Sequence, residues 1–207
     1  MLAQNSGGVG TKFAVLAGVN MFNHNGKDFS GNALDNNLLI GFHAGVNAQI
    51  PIVPEFYFEP GVLFSTKGAI QKTGSVSSST RLSYIEVPLN FVYKGALGSG
   101  FIMVGFGPYI AYGVQGKIVT EGAALTLETP IDFKNTVKLG DSITRAYFRP
   151  FDAGANIFVG YEMSMGIFLL LNTQFGLMRI NPDDERFPIG EASVKNTGFG
   201  LSLGYRF

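Results

Sequence analysis

Five ionisable residues each interrupt an apolar alternation: Lys12, Glu59, Glu86, Asp152 and Arg206. Carboxylates and cations placed this way suit two kinds of chemistry. They can pass protons or ions along a path, or they can neutralise one another in a hydrogen-bonded, ion-paired network, because unpaired charges away from water are costly. The network is the favoured reading. His24 and His43 raise a third possibility, nucleophilic catalysis, which needs a nucleophile and an orienting group around the imidazole. Cysteine is absent and no Ser/His/acid spacing is recognisable. His43 falls mid-strand, where a hydrogen-bonded structural role fits it, and it joins the network. Asp183-Asp184-Glu185 could hold a divalent cation, but with Arg186 beside it the run reads as a solvated loop. Gly105-Phe106-Gly107 has no following helix, so it is not a phosphate loop. The expectation is no catalytic residue, no metal and no cofactor.

The elements that must position these residues are strands. Period-two alternation recurs near 11–22, 38–50, 56–67, 82–94, 101–117, 148–161, 167–178 and 197–207, and that period marks strands rather than helices. In the last segment Phe199, Leu201, Leu203, Tyr205 and Phe207 alternate with Gly198, Gly200, Ser202, Gly204 and Arg206. The connections alternate too. Tight turns are expected at 51–55, 95–100 and 162–166, and longer loops at 23–37, 68–81, 118–147 and 179–196. An up-and-down antiparallel meander with one rim of turns and one of loops has this pattern, as transmembrane barrels do.

Composition narrows the class. The 207 residues carry 15 basic and 15 acidic side chains, 28 Gly, 19 Phe and 8 Tyr, but no Trp and no Cys. Disulfide scaffolds and cysteine zinc sites are excluded. High apolar content with zero net charge argues against disorder, and it offers no overall attraction for nucleic acid. No run approaches the roughly 18 apolar residues of a spanning helix. Met1 to Asn5 is no intact signal peptide; it reads either as what trimming leaves, with Gln4 as the mature start, or as an ordinary terminus.

Which face is apolar separates a membrane barrel from a soluble, lipocalin-like ligand-binding barrel. The richer apolar series of all eight segments contains no charged residue and no Gly, whereas the opposite series collects Gly together with Lys12, Glu59, Glu86, Asp152 and Arg206. An eight-stranded lumen is barely wide enough for side chains, so small residues must sit beside large ones there. The apolar series then faces lipid. Asn47, Gln49, Asn90, Asn156, Asn172 and Gln174 extend the inward network and leave little room for a water column. Pro60, Pro88 and Pro108 each remove a ladder bond, so bulges are expected there. Tyr93, Tyr112, Tyr161 and Tyr205 suit the membrane interfaces. The fold class is all-β, an eight-stranded antiparallel up-and-down transmembrane β-barrel, with residues 1–207 forming one domain.

The run Phe58-Glu59-Pro60-Gly61-Val62-Leu63-Phe64-Ser65-Thr66-Lys67-Gly68 resembles the third strand of the PorT-like outer-membrane β-barrel family. Leu82-Ser83-Tyr84-Ile85-Glu86-Val87-Pro88-Leu89-Asn90-Phe91 is similar to its fourth. Gly105-Phe106-Gly107-Pro108-Tyr109, Phe151-Asp152-Ala153-Gly154 and Gly204-Tyr205-Arg206-Phe207 follow in the same order. The resemblance implies a barrel in a Gram-negative outer membrane, contact with outer-membrane lipid, and recurrence of the prolines. It also implies that the terminal aromatic Phe207 is an insertion signal read by the barrel-insertion machinery.

Specific function is expected in the long loops. The 118–147 segment is the largest, and Ile118, Val119, Leu125, Leu127, Ile131 and Phe133 make it more apolar than an idle linker. It is expected to rise as a hairpin and carry any partner-binding surface. The chain thus reads as a non-enzymatic anchor for loops engaged in adhesion, envelope assembly or secretion-related contacts. The alternatives are the soluble ligand-binding barrel and a lipid-modifying outer-membrane enzyme.

Overall fold

A computed structural model describes residues 10–28, 30–122, 125–186 and 192–207. The alternative origins of the N-terminus concern residues that lie outside this set. The strands in chain order are β1 (Lys12–Lys27), β2 (Asn37–Val53), β3 (Phe56–Thr73), β4 (Val76–Leu97), β5 (Gly100–Glu121), β6 (Thr126–Phe133), β7 (Thr136–Val137), β8 (Ala146–Phe148), β9 (Phe151–Met163), β10 (Ile167–Gly176), β11 (Asp183–Asp184) and β12 (Ser193–Arg206). Eight of them, β1–β5, β9, β10 and β12, form an antiparallel ring. It closes where β1 pairs with β12 from Ala14↔Arg206 to Lys27↔Ser193.

The turn-bearing rim lies at the ends of β2–β3, β4–β5 and β9–β10, beside the start of β1 and the end of β12. At the β4–β5 turn Gly98 has φ 62°, a left-handed conformation that glycine adopts without strain. On the other rim the strands run further than expected: β1 and β12 pair on from Asn23↔Thr197 to Lys27↔Ser193, and one expected loop is absent. Residues 68–81 are not a loop: β3 and β4 run on to a tight turn at Gly74, φ 58°, and pair from Gly68↔Arg81 to Thr73↔Val76. The Ser/Thr-rich stretch Ser75–Thr80 hid this strand, because it lacks the alternating apolar residues that mark one buried face. The 118–147 segment does rise as a hairpin, with β6 pairing β5 from Lys117↔Pro130 to Glu121↔Thr126.

The expected bulges at Pro60, Pro88 and Pro108 are not found. Pairing between β3 and β4 pauses after Pro60↔Leu89 and resumes at Leu63↔Glu86 in the same register. Between β4 and β5 it pauses after Pro88↔Tyr109 and resumes in register at Phe91↔Phe106. The missing N–H opens the ladder without adding a residue. The register shifts sit elsewhere, between Leu38 and His43, Pro51 and Val53, and Ser83 and Tyr84.

The apolar series points outward. Phe13, Val15, Val19, Ile40, Phe42, Phe106, Ile110, Leu171 and Leu203 are all exposed, forming a belt that water would penalise and acyl chains satisfy. The inward glycines have a specific reason. Phe22 pairs across the ladder with Gly198, Tyr84 with Gly113, Tyr109 with Gly154, Phe158 with Gly105 and Phe168 with Gly204. The rings of Phe22, Tyr109, Phe158 and Phe168 each sit where the partner lacks a side chain, whereas over Gly113 the space is filled by Phe133 of β6. A Cβ at Gly105 would stand 2.3 Å from the Phe158 ring, and one at Gly204 2.2 Å from the Phe168 ring. The loops also pack: Ile180 and Ile131 join Leu82, Tyr84 and Tyr109 in an apolar cluster that caps the outer half of the lumen.

Candidate functional site

The lumen contains two charged layers, built by strands whose inward positions alternate with the lipid-facing ones. The outer layer centres on Lys67 of β3, which is fully buried. Its Nζ lies 2.7 Å from Glu86 Oε2 (β4) and 3.5 Å from Asp152 Oδ2 (β9). Three rings surround it, the nearest being Tyr109 at 4.1 Å from Nζ to the ring centre, with Phe22 and Tyr84 beyond. The Gln174 amide donates to Glu86, and Asn196 Nδ2 donates to Asp152 Oδ2 at 2.9 Å. The inner layer centres on Arg206 of β12. Its Nη2 meets Glu59 Oε2 at 3.0 Å and its Nε meets Glu162 Oε2 at 3.0 Å. Lys94 Nζ reaches Glu162 Oε1 at 2.6 Å, while Asn47 and Gln49 donate to Glu59. Buried charges with several partners each can be tolerated; lone ones cannot.

Between the layers His43 bridges strands. Its Nδ1 is 2.6 Å from Asn20 Oδ1 and its Nε2 is 2.7 Å from Ser202 Oγ. Ser, His and Asn in this order have the residue types of a nucleophilic relay. All three are buried, however, and the adjoining lumen cavity is about 60 Å3. Small-molecule sites span roughly 300–1,000 Å3, so the cavity takes a few waters and not an acyl substrate.

Five of the six expected network residues, His43, Glu59, Glu86, Asp152 and Arg206, are placed in the lumen. Lys12 is not. It is exposed on the turn-bearing rim, where it lines an open vestibule of about 590 Å3 with Glu55 and Lys94, because β1 begins there and its side chain reaches water. Three charged members escaped the sequence reading: Lys67, Lys94 and Glu162. Each keeps the inward parity of its own strand: Lys67 and Lys94 close the segments 56–67 and 82–94, and Glu162 stands one residue past 148–161.

On the opposite rim the loops form a second polar region. Arg149 Nη2 pairs with Asp183 Oδ2 at 2.7 Å, and Arg186 Nη2 with Asp184 Oδ2 at 2.7 Å. Asp183 and Asp184 therefore spend their oxygens on arginines, and no cluster of metal-ligating side chains occurs among the described residues. Hydrogen bonds from Arg186 hold the Asp184 carboxyl below its usual range, and the Lys134 ammonium does the same for Asp141. His24 stands beyond Met21, the last apolar outward residue of β1, and so outside the lipid-facing belt. Burial draws its imidazole down to about 4.

No curated protein matches the chain in sequence. Among solved structures it is similar to Neisserial surface protein A, at 10% identity and TM-score 0.51 over 96% of this chain and 99% of that one. It is also similar to Ail, the attachment invasion locus protein of Yersinia pestis, crystallised with the heparin analogue sucrose octasulfate, at 10% identity and TM-score 0.47 over 95% and 99%. At such identity the likeness concerns the fold. The family model described as "outer membrane protein beta-barrel domain" matches residues 2–181, ending before β12, the strand that closes the ring onto β1. Neither the soluble ligand-binding barrel nor the lipid-modifying enzyme finds support in these matches. With its lipid-facing apolar belt and eight-stranded ring, the chain belongs to the outer membrane protein β-barrel domain family and is an integral protein of the cell outer membrane.

Proposed function

We propose that the barrel is a non-enzymatic, sealed anchor that presents an outward platform to a protein partner in adhesion or envelope assembly. The observation that carries this reading is the β5–β6 hairpin. On one edge β6 pairs with β5, and on the other it pairs with β8 only at Ile131–Phe133, which leaves that second edge of Thr126–Pro130 with no strand beside it among the described residues. An open edge of this kind offers unpaired N–H and C=O groups to an incoming strand. Leu125 and Leu127 stand exposed on the hairpin, and Leu139 and Ile143 are exposed in the 138–145 segment that follows it, Ile143 at 90%, in a region outside the lipid-facing belt. Exposed apolar side chains beside a free edge suit an extended peptide more than a solvated loop.

The lumen supports the anchoring role, since two ion-paired layers cross it and the cavity between them is only about 60 Å3. Within the family, the strand motifs in β3, β4 and β5 favour PorT-like kinship, and the exposed terminal Phe207 suits recognition by the barrel-insertion machinery. The test is adhesion of cells displaying the full chain. A Leu125→Asp/Leu127→Asp variant that inserts normally should lose binding to the partner surface. Undiminished binding would refute the hairpin as the docking element.

A further inference from the structure

The outer mouth holds a cavity of about 310 Å3 that neither the lumen network nor the β6 edge uses. His24 of β1, 6% exposed, forms part of its wall, with the Asn196 side chain across the β1–β12 ladder as its hydrogen-bond neighbour. Phe148 packs beside the imidazole, with ring centroids 6.1 Å apart. Polar side chains converge from other elements: Asn36 ahead of β2, Gln71 of β3 and Thr80 of β4 on one side, Arg145 and Arg186 on the other. Leu34, Pro182 and Val194 add apolar wall.

Charge decides what kind of molecule fits. Arg145 Nη1 is paired with Asp132 Oδ1 at 2.6 Å, and Arg186 Nη2 with Asp184 Oδ2 at 2.7 Å, so the formal charges cancel. An anion would have to compete with these carboxylates for the guanidiniums. An uncharged ring bearing hydroxyl groups meets no such competition. Its hydroxyls can bond the Asn36 and Gln71 amides and the Thr80 hydroxyl, while its C–H face lies against the apolar wall. The volume stands at the small end of the range for small-molecule sites. We propose that the outer mouth binds an uncharged saccharide unit of one or two rings. This site is separate from the hairpin edge and goes beyond the anchoring role.

The experiment uses the full chain folded in zwitterionic micelles, because glycoside detergents carry the probe's own chemistry. The 15N imidazole signals of the two histidines are followed while methyl glucoside, methyl galactoside, N-acetylglucosamine or sodium sulfate is added. A parallel titration uses neutral disaccharides, and the tighter of the two sizes shows whether one ring or two are held. The expected result is saturable movement of the His24 signal with at least one neutral saccharide. Thr80→Val and Gln71→Leu, both in well-exposed or half-exposed positions, should each weaken binding roughly tenfold while leaving the heat-dependent gel shift of the folded barrel intact. Tighter binding of sulfate than of any saccharide would overturn the proposal. So would the absence of saturable saccharide binding, or unchanged affinity in both variants.

Discussion

Replacing Lys67 by Met leaves two carboxylates in a closed lumen without their shared cation. Lys67 Nζ lies 2.7 Å from Glu86 and 3.5 Å from Asp152, and the ammonium also rests 4.1 Å from the centre of the Tyr109 ring. Removing one partner of a buried pair costs about 3–5 kcal/mol. The loss of desolvated cation–π contact adds up to about 2 kcal/mol. Against this, Glu86 keeps the Gln174 amide, and Asp152 keeps Asn196. These residual donors place the net cost near 4 kcal/mol, about a thousandfold in the folding equilibrium. The assay is urea unfolding of the barrel in lipid vesicles, read by tyrosine fluorescence and by the heat-dependent gel shift. The triple variant Lys67→Met/Glu86→Gln/Asp152→Asn removes both orphaned charges and should recover to within about 1 kcal/mol of the parent, since a neutral replacement of a buried ion group is commonly tolerated. A single variant that costs under about 1 kcal/mol would show that the lumen is wetter than its geometry implies. A triple variant as unstable as the single one would show that packing, not charge pairing, sets the cost.

Further outcomes follow from the same contacts. Gly105→Ala should destabilise the barrel by about 1–3 kcal/mol, because its Cβ meets the Phe158 ring at 2.3 Å; a companion Phe158→Leu change should restore part of the loss in the same unfolding assay, and no loss in the single variant would contradict the ring-on-glycine packing. In planar bilayers the folded chain should show no steady conductance, and large persistent steps would contradict the sealed layers. A serine-directed fluorophosphonate should leave Ser202 unlabelled at neutral pH, since the 60 Å3 cavity beside it admits no such reagent; labelling that vanished in Ser202→Ala would revive a catalytic reading. His24, at about 4 in the fold against an ordinary 6.5, takes up its proton first in the unfolded chain as pH falls. Its contribution to stability is therefore complete above pH 6.5 and is lost progressively towards pH 4, by at most about 3 kcal/mol. Histidine NMR titration checks this, and a His24 midpoint near 6.5 would refute it.

Much of this architecture is legible along the chain because a barrel strand has one lipid face and one lumen face. Phe199, Leu201 and Leu203 against Gly198, Gly200 and Ser202 announce the two faces, and the structure keeps that assignment. Strands are illegible where the physical contrast between their faces fades. Above the membrane both faces of β3 and β4 meet water, so Ser77 to Thr80 carry no alternation and looked like a loop. The prolines were expected to bulge, but a strand can lose a ladder bond and stay in register, which local sequence does not reveal. Lys12 has the correct parity and the wrong height: at the rim an inward position opens to water.

Alternation and composition by themselves determined the strand count, the lipid-facing side, and the need for small residues inside a narrow ring. Only the tertiary structure decided which charges meet. Lys67, Glu86 and Asp152 lie on three different strands, and Arg206 finds Glu59 and Glu162 through ring closure and strand stagger. Parity is a property of one strand, whereas pairing depends on the register between strands and on height along the barrel. The outer cavity follows the same rule. His24, Thr80 and Arg186 are far apart in the chain, and the folded loops alone bring them to one small space.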